Sequence, residues 1–294
     1  MKAGTVAIVG RPNVGKSTLL NALLKEKVAI VSDKPQTTRT RILGVVHRPD
    51  AQIGLLDTPG LHKPQYQLNK RMVRTAVETM RDADILYVMV EATDPPGPGD
   101  RFVFEQVRDV AEKDGIPAFL LLNKVDLVKK VRVLPLIETY RKVHDWTEVV
   151  PLSAKTGLNV DRLLDVTVKA LPEGDALFES DMLTDQSMRT LAAEIVREKI
   201  LQKTRDEIPY SVAVEIDRFV EEGKLARIAA TVLVEKDSQK AIIIGKHGER
   251  LKEVGTYARI DMERLFGMKV FLELWVKVRP AWREDEQALT ELGY

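Results

Sequence analysis

Lysine, serine and aspartate handle phosphate and magnesium, and this sequence holds them in the patterns that such chemistry needs. Gly10-Arg11-Pro12-Asn13-Val14-Gly15-Lys16-Ser17, followed by Thr18, fits the phosphate-cradling pattern G-x-x-x-x-G-K-S/T. It lies between an apolar run at 5–9 and a helical pattern from 17. Gly10 and Gly15 let successive backbone N–H groups point inward at phosphates, and the following helix offers its positive dipole end. Lys16 then reaches the β and γ oxygens, and the Ser17 hydroxyl suits Mg²⁺. Asp57-Thr58-Pro59-Gly60 places a carboxylate where it can hold the metal through a water, and Gly60 can bring its N–H to the γ-phosphate unobstructed. Taken alone, D-x-P-G is as often a plain β-turn.

The base is specified further along. In Asn123-Lys124-Val125-Asp126, the Asp126 carboxylate offers two acceptor oxygens to the adjacent N1–H and N2–H₂ donors of guanine, and adenine has no such pair. A site built for those donors rejects ATP, because the mismatch leaves charged acceptors unpaired. Ser153-Ala154-Lys155 follows another strand pattern, with the Ala154 N–H expected on guanine O6 and Lys155 over the base.

Strand and helix patterns must deliver these groups to one edge. Strands are expected at 6–9, 85–90, 118–122 and 148–152, with helices at 16–25, 67–80, 101–113 and 160–171. This alternation gives an α/β domain with a mostly parallel sheet. Runs 42–47 and 52–56 flank Arg48-Pro49-Asp50 and read as a hairpin, the one antiparallel feature. Residues 32–41 have no apolar period and read as an exposed loop, and 94–99 as a turn-rich connector.

A second, smaller α+β unit follows in the order α-β-β-α-α-β: a helix at 188–202, strands at 212–219 and 228–235, the stretch 241–250, a helix at 249–266 and a strand at 269–278. The expected division is a nucleotide-binding domain 1–172, a linker 173–186 and a second domain 187–294. In the second domain Ile244-Gly245-Lys246-His247-Gly248 sets two glycines around a basic pair, with Arg250 and Lys252 close behind. Such a loop lets backbone and cations approach the phosphates of a single strand. Trp282, within Arg279-Pro280-Ala281-Trp282-Arg283, is equally suited to stack on a base or to pack on its own domain.

Composition bounds the rest. The 294 residues suffice for about two domains. Lys+Arg 45 against Asp+Glu 44 leaves a net charge of +1, so a nucleic-acid surface must be local. Cys 0 excludes disulfides, thiolate metal sites and a cysteine nucleophile. The first ten residues run straight into a strand, leaving no room for a signal peptide, and no apolar run approaches a membrane span; a cytoplasmic protein is expected.

Five signals in order, the second being Thr37-Thr38, resemble the translation-factor-related GTPases over about 5–171. That resemblance implies GTP/GDP and Mg²⁺ as ligands. It implies Lys16, Thr38 and Gly60 as catalytic groups, and Ser17, Thr38 and Asp57 around the metal. Spacing does not separate Thr37 from Thr38; the family pattern favours the second. Where Ras-like enzymes carry a water-orienting glutamine, this chain has Leu61. Asn13, with Thr37 and loop 32–34, resembles the GTPases that seat K⁺ near the phosphates. The Gly245–Gly248 loop resembles that of a bacterial-type KH domain. Together, with DKPQTTR and DTPGLHKP, the chain resembles the Era family of bacterial GTPases over nearly its full length. This implies a monomer that binds the 3′ end of small-subunit ribosomal RNA and acts in 30S assembly, with no DNA partner and at most peripheral membrane contact. Two other readings stay open: an RNA-binding module with a structural nucleotide, and a membrane-associated GTPase switch.

Overall fold

The computed structural model describes residues 1–204 and 208–294. The chain divides into two compact units. The first comprises Met1–Ala29, Thr38–Gln65 and Asn69–Asp185; the second comprises Ile30–Thr37, Tyr66–Leu68 and Gln186–Tyr294.

In the first unit the strands are β1 (Lys2–Gly10), β2 (Ile42–His47), β3 (Ala51–Asp57), β4 (Ile85–Glu91), β5 (Ala118–Asn123) and β6 (Glu148–Pro151). They form one sheet in the order β2-β3-β1-β4-β5-β6. All neighbours run parallel except β2 and β3, whose tight turn fixes the register from Ile42–Asp57 to His47–Gln52. Alternate side chains feed two cores. Val6, Ile8, Tyr87, Met89, Phe119 and Leu121 pack under α1 (Lys16–Leu24) and α5 (Val160–Ala170). Ala7, Val9, Val88, Leu120 and Leu122 pack under α2 (Gln67–Arg81), α3 (Pro98–Asp114) and α4 (Val133–Arg141). A sheet buried on both faces leaves the C-terminal strand ends as the place where polar residues gather.

Two boundaries in the first unit differ from the sequence expectation by three residues or more. β1 begins at Lys2, because Lys2 to Gly4 pair with Ala51 to Ile53. α3 begins at Pro98 within the expected connector: proline suits the first helical position, and the Asp100 carboxylate accepts the Gly97 N–H at 2.9 Å. The stretch after α5 is held along β2 and β3. Gln52 Oε1 accepts the Leu177 and Phe178 N–H groups at 2.7 and 2.8 Å, and the Val45 N–H reaches Leu183 O at 2.9 Å. A Cβ on Gly54 would meet the Phe178 ring at 2.7 Å, so glycine there is what lets the ring seat.

The second unit contains α6 (Met188–Lys203), α7 (Ile208–Ser211), β7 (Ala213–Glu222), β8 (Leu225–Val234), α8 (Asp237–Ile244), α9 (Glu249–Phe266), β9 (Lys269–Val278) and α10 (Glu286–Glu291). The expected α-β-β-α-α-β order is present, with the short α7 and α10 added. The sheet order is β7-β8-β9, antiparallel then parallel. Ala192, Val196, Ile200, Ile228, Val232, Val254, Ala258 and Met262 make its core, and Ile30 joins them. Arg197, buried on α6, pairs with Glu194 and donates to the carbonyls of Gln36 and Thr37. Trp282 takes the packing alternative: it is fully buried, its Nε1–H donates to Ser211 O at 3.0 Å, and its ring stacks on Tyr294. Among the described residues, no helix is long and apolar enough to cross a membrane.

Candidate functional site

The phosphate loop connects the end of β1 to the start of α1. Gly15 has φ 104°, and a Cβ there would stand 2.5 Å from Asn123 Nδ2, so both backbone conformation and space demand glycine. Lys16 is buried, and its Nζ folds back to donate to Arg11 O at 3.0 Å and Gly10 O at 3.3 Å. Burial pushes its pKa down to about 8, against the attraction of Asp57. Arg11 Nε pairs with the buried Asp100 at 2.7 Å, tying the loop to α3.

Three oxygens converge beside Lys16. Ser17 Oγ lies 2.7 Å from Asp57 Oδ2 and 2.8 Å from Thr38 Oγ1, and Thr38 Oγ1 lies 3.3 Å from the same carboxylate oxygen. Asp57 is fully buried. Burial raises its pKa, with Lys16, the two hydroxyls and the Thr58 backbone pulling it back. Its Oδ1 is buried without a hydrogen-bond partner, a cost that an added cation would relieve. Two hydroxyls and a carboxylate, one of whose oxygens is buried and orphaned, fit Mg²⁺. Thr37 turns elsewhere, its Oγ1 donating to Lys34 O at 2.6 Å, so Thr38 is the threonine brought to this cluster.

After Asp57 the chain is fastened down. Thr58 Oγ1 donates to Ile8 O at 2.8 Å, and a Cβ on Gly60 would meet Pro12 at 2.8 Å, which is the close approach that glycine permits. Leu61 is wholly buried in the core with Ala76 and Met80, and its N–H donates to Gly10 O at 3.1 Å. Its side chain is therefore part of the packed core.

Asn123 organises the base side. Its Nδ2 donates to Val14 O at 2.7 Å, and its Oδ1 accepts the Ala154 N–H at 2.9 Å. The Ala154 N–H, expected on the base itself, here serves to join two loops. Ser153 is buried, with its Oγ accepting the Thr156 N–H at 3.2 Å. Lys124 Nζ bridges Asn13 O at 2.9 Å and Glu91 at 2.6 Å. Asp126 and Lys155 are exposed at the rim. Sequence reasoning passed over Asp100 and Glu91. Asp100 could be found as a carboxylate two residues after Pro98 at a helix start, and Glu91 as the last residue of a strand ending at this edge.

The candidate nucleic-acid surface is separate and lies in the second unit. Ile244 ends α8, and Gly245 (φ 73°), His247 (φ 51°) and Gly248 (φ 79°) turn the chain into α9. A Cβ on Gly245 would stand 2.8 Å from Arg250 Cβ. Arg250 donates to Ile242 O and thus braces the loop, while Lys246 and His247 are exposed. Beside the loop runs a groove of 410 Å³ lined by Leu251, Lys252, Gly255, Arg259, Leu272 and Leu274 among others. Apart from Lys252, these residues escaped sequence reasoning; the signal was the small and apolar positions one turn apart after the loop.

The GTPase family model described as 50S ribosome-binding GTPase matches residues 5–124, and a KH-domain model matches 207–283. Relatives named GTPase Era from Syntrophus aciditrophicus and Geobacter metallireducens are 52% and 51% identical, covering 100% of this chain and 95% and 98% of theirs. A solved structure of Era with MgGDPNP and nucleotides 1506–1542 of 16S ribosomal RNA has a TM-score of 0.96 at 44% identity, covering 100% of this chain and 99% of that one. An Aquifex aeolicus Era variant bound to GDP and AlF4⁻ gives 0.95 at 44% identity, with the same coverage. Sharing two domain types and about half its residues with these proteins along its whole length, the chain belongs to the Era family of GTPases.

Proposed function

We propose that this chain binds GTP with Mg²⁺ through residues 1–172, hydrolyses it, and uses residues 187–294 to hold the 3′ end of small-subunit ribosomal RNA during 30S assembly, with 173–186 as the connection. The observation that carries the nucleotide half is the convergence of Ser17, Thr38 and Asp57 beside the buried Lys16. The RNA half rests on the braced Gly245–Gly248 loop and its groove, and on the relative solved with MgGDPNP and 16S ribosomal RNA.

In this reading Ser17, Thr38 and Asp57 hold Mg²⁺, which when bound supplies positive charge to the phosphate oxygens. Lys16 leaves its carbonyl partners for the β and γ oxygens, and the backbone of Gly10 to Thr18 encloses the phosphates. Gly60 offers its N–H to the γ-phosphate from the fixed Asp57-Thr58-Pro59 turn. Asn123, Lys124 and Ala154 shape the base pocket around Asp126, with Ser153 supporting it and Lys155 over the base. Ile244, Gly245, Lys246, His247, Gly248 and Arg250 form the RNA contact. The protein acts as a cytoplasmic monomer. K⁺ near Asn13 is an extra of this reading: hydrolysis is then faster in potassium than in sodium, and equal rates at matched ionic strength remove the ion.

The test is in-cell crosslinking of the full chain to RNA, with sequencing of the bound fragments and GTP hydrolysis measured with and without the recovered RNA. Fragments from outside the small-subunit 3′ end overturn the RNA assignment, and absence of hydrolysis favours a structural nucleotide. A peripheral membrane contact is favoured by one feature: Leu127, Val131 and Leu134 are 64%, 77% and 72% exposed beside Lys129, Lys130 and Arg132. Flotation with anionic vesicles tests it, and loss of flotation in Val131→Asp assigns it to this patch.

A further inference from the structure

Leu61 stands where a water-orienting glutamine would be, yet it is buried in the core. The next residue makes polar contacts instead. His62 is half-buried, with Nδ1 2.9 Å from Gly60 O and Nε2 2.5 Å from Asn69 Nδ2. Asn69, on α2, is itself buried. A carbonyl accepts, so Nδ1 carries the proton toward Gly60, and Nε2 is the acceptor for the Asn69 amide.

The peptide joining Gly60 to Leu61 is thus gripped at both edges. Its oxygen is held by His62, and its N–H donates to Gly10 O at 3.1 Å. Without those bonds a glycine would let the adjoining peptide planes rotate at little cost. We infer that His62, oriented by Asn69, is a positioning residue for GTP hydrolysis, locking Gly60 so that its N–H stays aimed at the γ-phosphate as charge develops there. The imidazole does not touch the nucleotide. It works through the one glycine between the metal-side Asp57 turn and the buried Leu61. The inference concerns only hydrolysis, which family membership supplies, and is independent of the RNA assignment.

The geometry separates two ways of failing. His62→Phe keeps a ring but removes both nitrogens. His62→Asn keeps an N–H donor at nearly the Nδ1 position and loses only the reach to Asn69. Single-turnover hydrolysis on the full chain should fall about tenfold or more in His62→Phe, as when one preorganised donor is lost. GDP affinity should stay unchanged, because Gly60 meets only the γ-phosphate, and the protein should remain folded at the assay temperature although the buried Asn69 amide loses its acceptor. His62→Asn should keep the rate within about threefold of the parent, because the bond to Gly60 O survives. Asn69→Leu should slow hydrolysis in the parent by no more than about threefold, because the His62 bond to Gly60 O survives, and add nothing in His62→Phe, since the two side chains act in series. A His62→Phe protein hydrolysing at the parental rate overturns the inference. So does a His62→Asn protein as slow as His62→Phe, or a rate loss that tracks a loss of GDP affinity or of fold.

Discussion

The phosphate loop of the first unit and the Gly245–Gly248 loop of the second both use glycine to bring backbone close to phosphate, but they keep their charge in opposite places. Lys16 and Asp57 are buried, each pushed by burial toward its neutral form, and each is held by several hydrogen bonds. Lys246 and His247 stand in water. Buried charge is preorganised and acts at full strength on one small ligand. Exposed charge attracts any polyanion, is screened by salt, and leaves selection to the neighbouring groove. The first arrangement suits a chemical step, and the second suits docking of a strand.

The comparison can be broken most severely at Lys16. Lys16→Ala removes the buried cation of the phosphate loop, and hydrolysis should fall by about 100-fold or more. The fold should survive, because the lysine's present partners are carbonyls of its own loop that water can reach once the side chain is gone. Single-turnover rates with circular dichroism check this, and a native protein at the parental rate removes the site.

Asp126→Asn tests the exposed part of the same site. The amide donates where the carboxylate accepted, so GTP should weaken by about 100-fold and xanthosine triphosphate, with its C2 carbonyl, should gain. Competition between the two nucleotides decides; an unchanged preference takes base reading away from Asp126.

The second loop should respond differently. Lys246→Asp with His247→Asp sets two carboxylates against phosphates, and binding to a small-subunit 3′-end oligonucleotide should weaken by at least about tenfold at low salt. The slope of affinity against salt should flatten, whereas GTP affinity stays put. Stability should change little, because both side chains are exposed and the turn depends on glycines that remain. Anisotropy over a salt series measures it, and parental binding at every salt would place the RNA elsewhere.

How far the sequence carried this contrast follows from the same physics. Gly10 to Ser17, Asp57 to Gly60, Asn123 to Asp126 and Gly245 to Gly248 were legible because each function needs its residue types at fixed short spacing, whatever the rest of the chain does. The sheet was legible because a strand buried on both faces has a distinctive apolar run. Contacts between distant segments were not. Nothing local says that Leu61 turns into the core, that Ala154 N–H is taken by Asn123, or that Phe178 seats over Gly54. Asp100 and Glu91 were missed for the same reason: a lone carboxylate has a role only once the fold supplies Arg11 or Lys124.

The smallest effect is the finest probe of buried against exposed charge. In the free protein Lys16 titrates near 8, because burial outweighs the attraction of Asp57. A triphosphate beside the amine favours its charged form, so the pKa rises in the complex. Binding above neutrality therefore takes up a proton, and GTP affinity should fall about fourfold between pH 7 and 8.5. Stability of the nucleotide-free protein runs the other way. The folded pKa lies below the ordinary 10.5, so the charged amine destabilises the fold below pH 8, and this contribution is relieved as pH rises from 8 toward 10.5. Titration calorimetry of GTP in two buffers of different ionisation enthalpy reads the proton uptake directly. Lys16→Met should abolish the uptake, and Lys246→Met should leave it intact. Uptake that is absent from the parent, or that survives in Lys16→Met, would show that burial of this lysine does not govern the site.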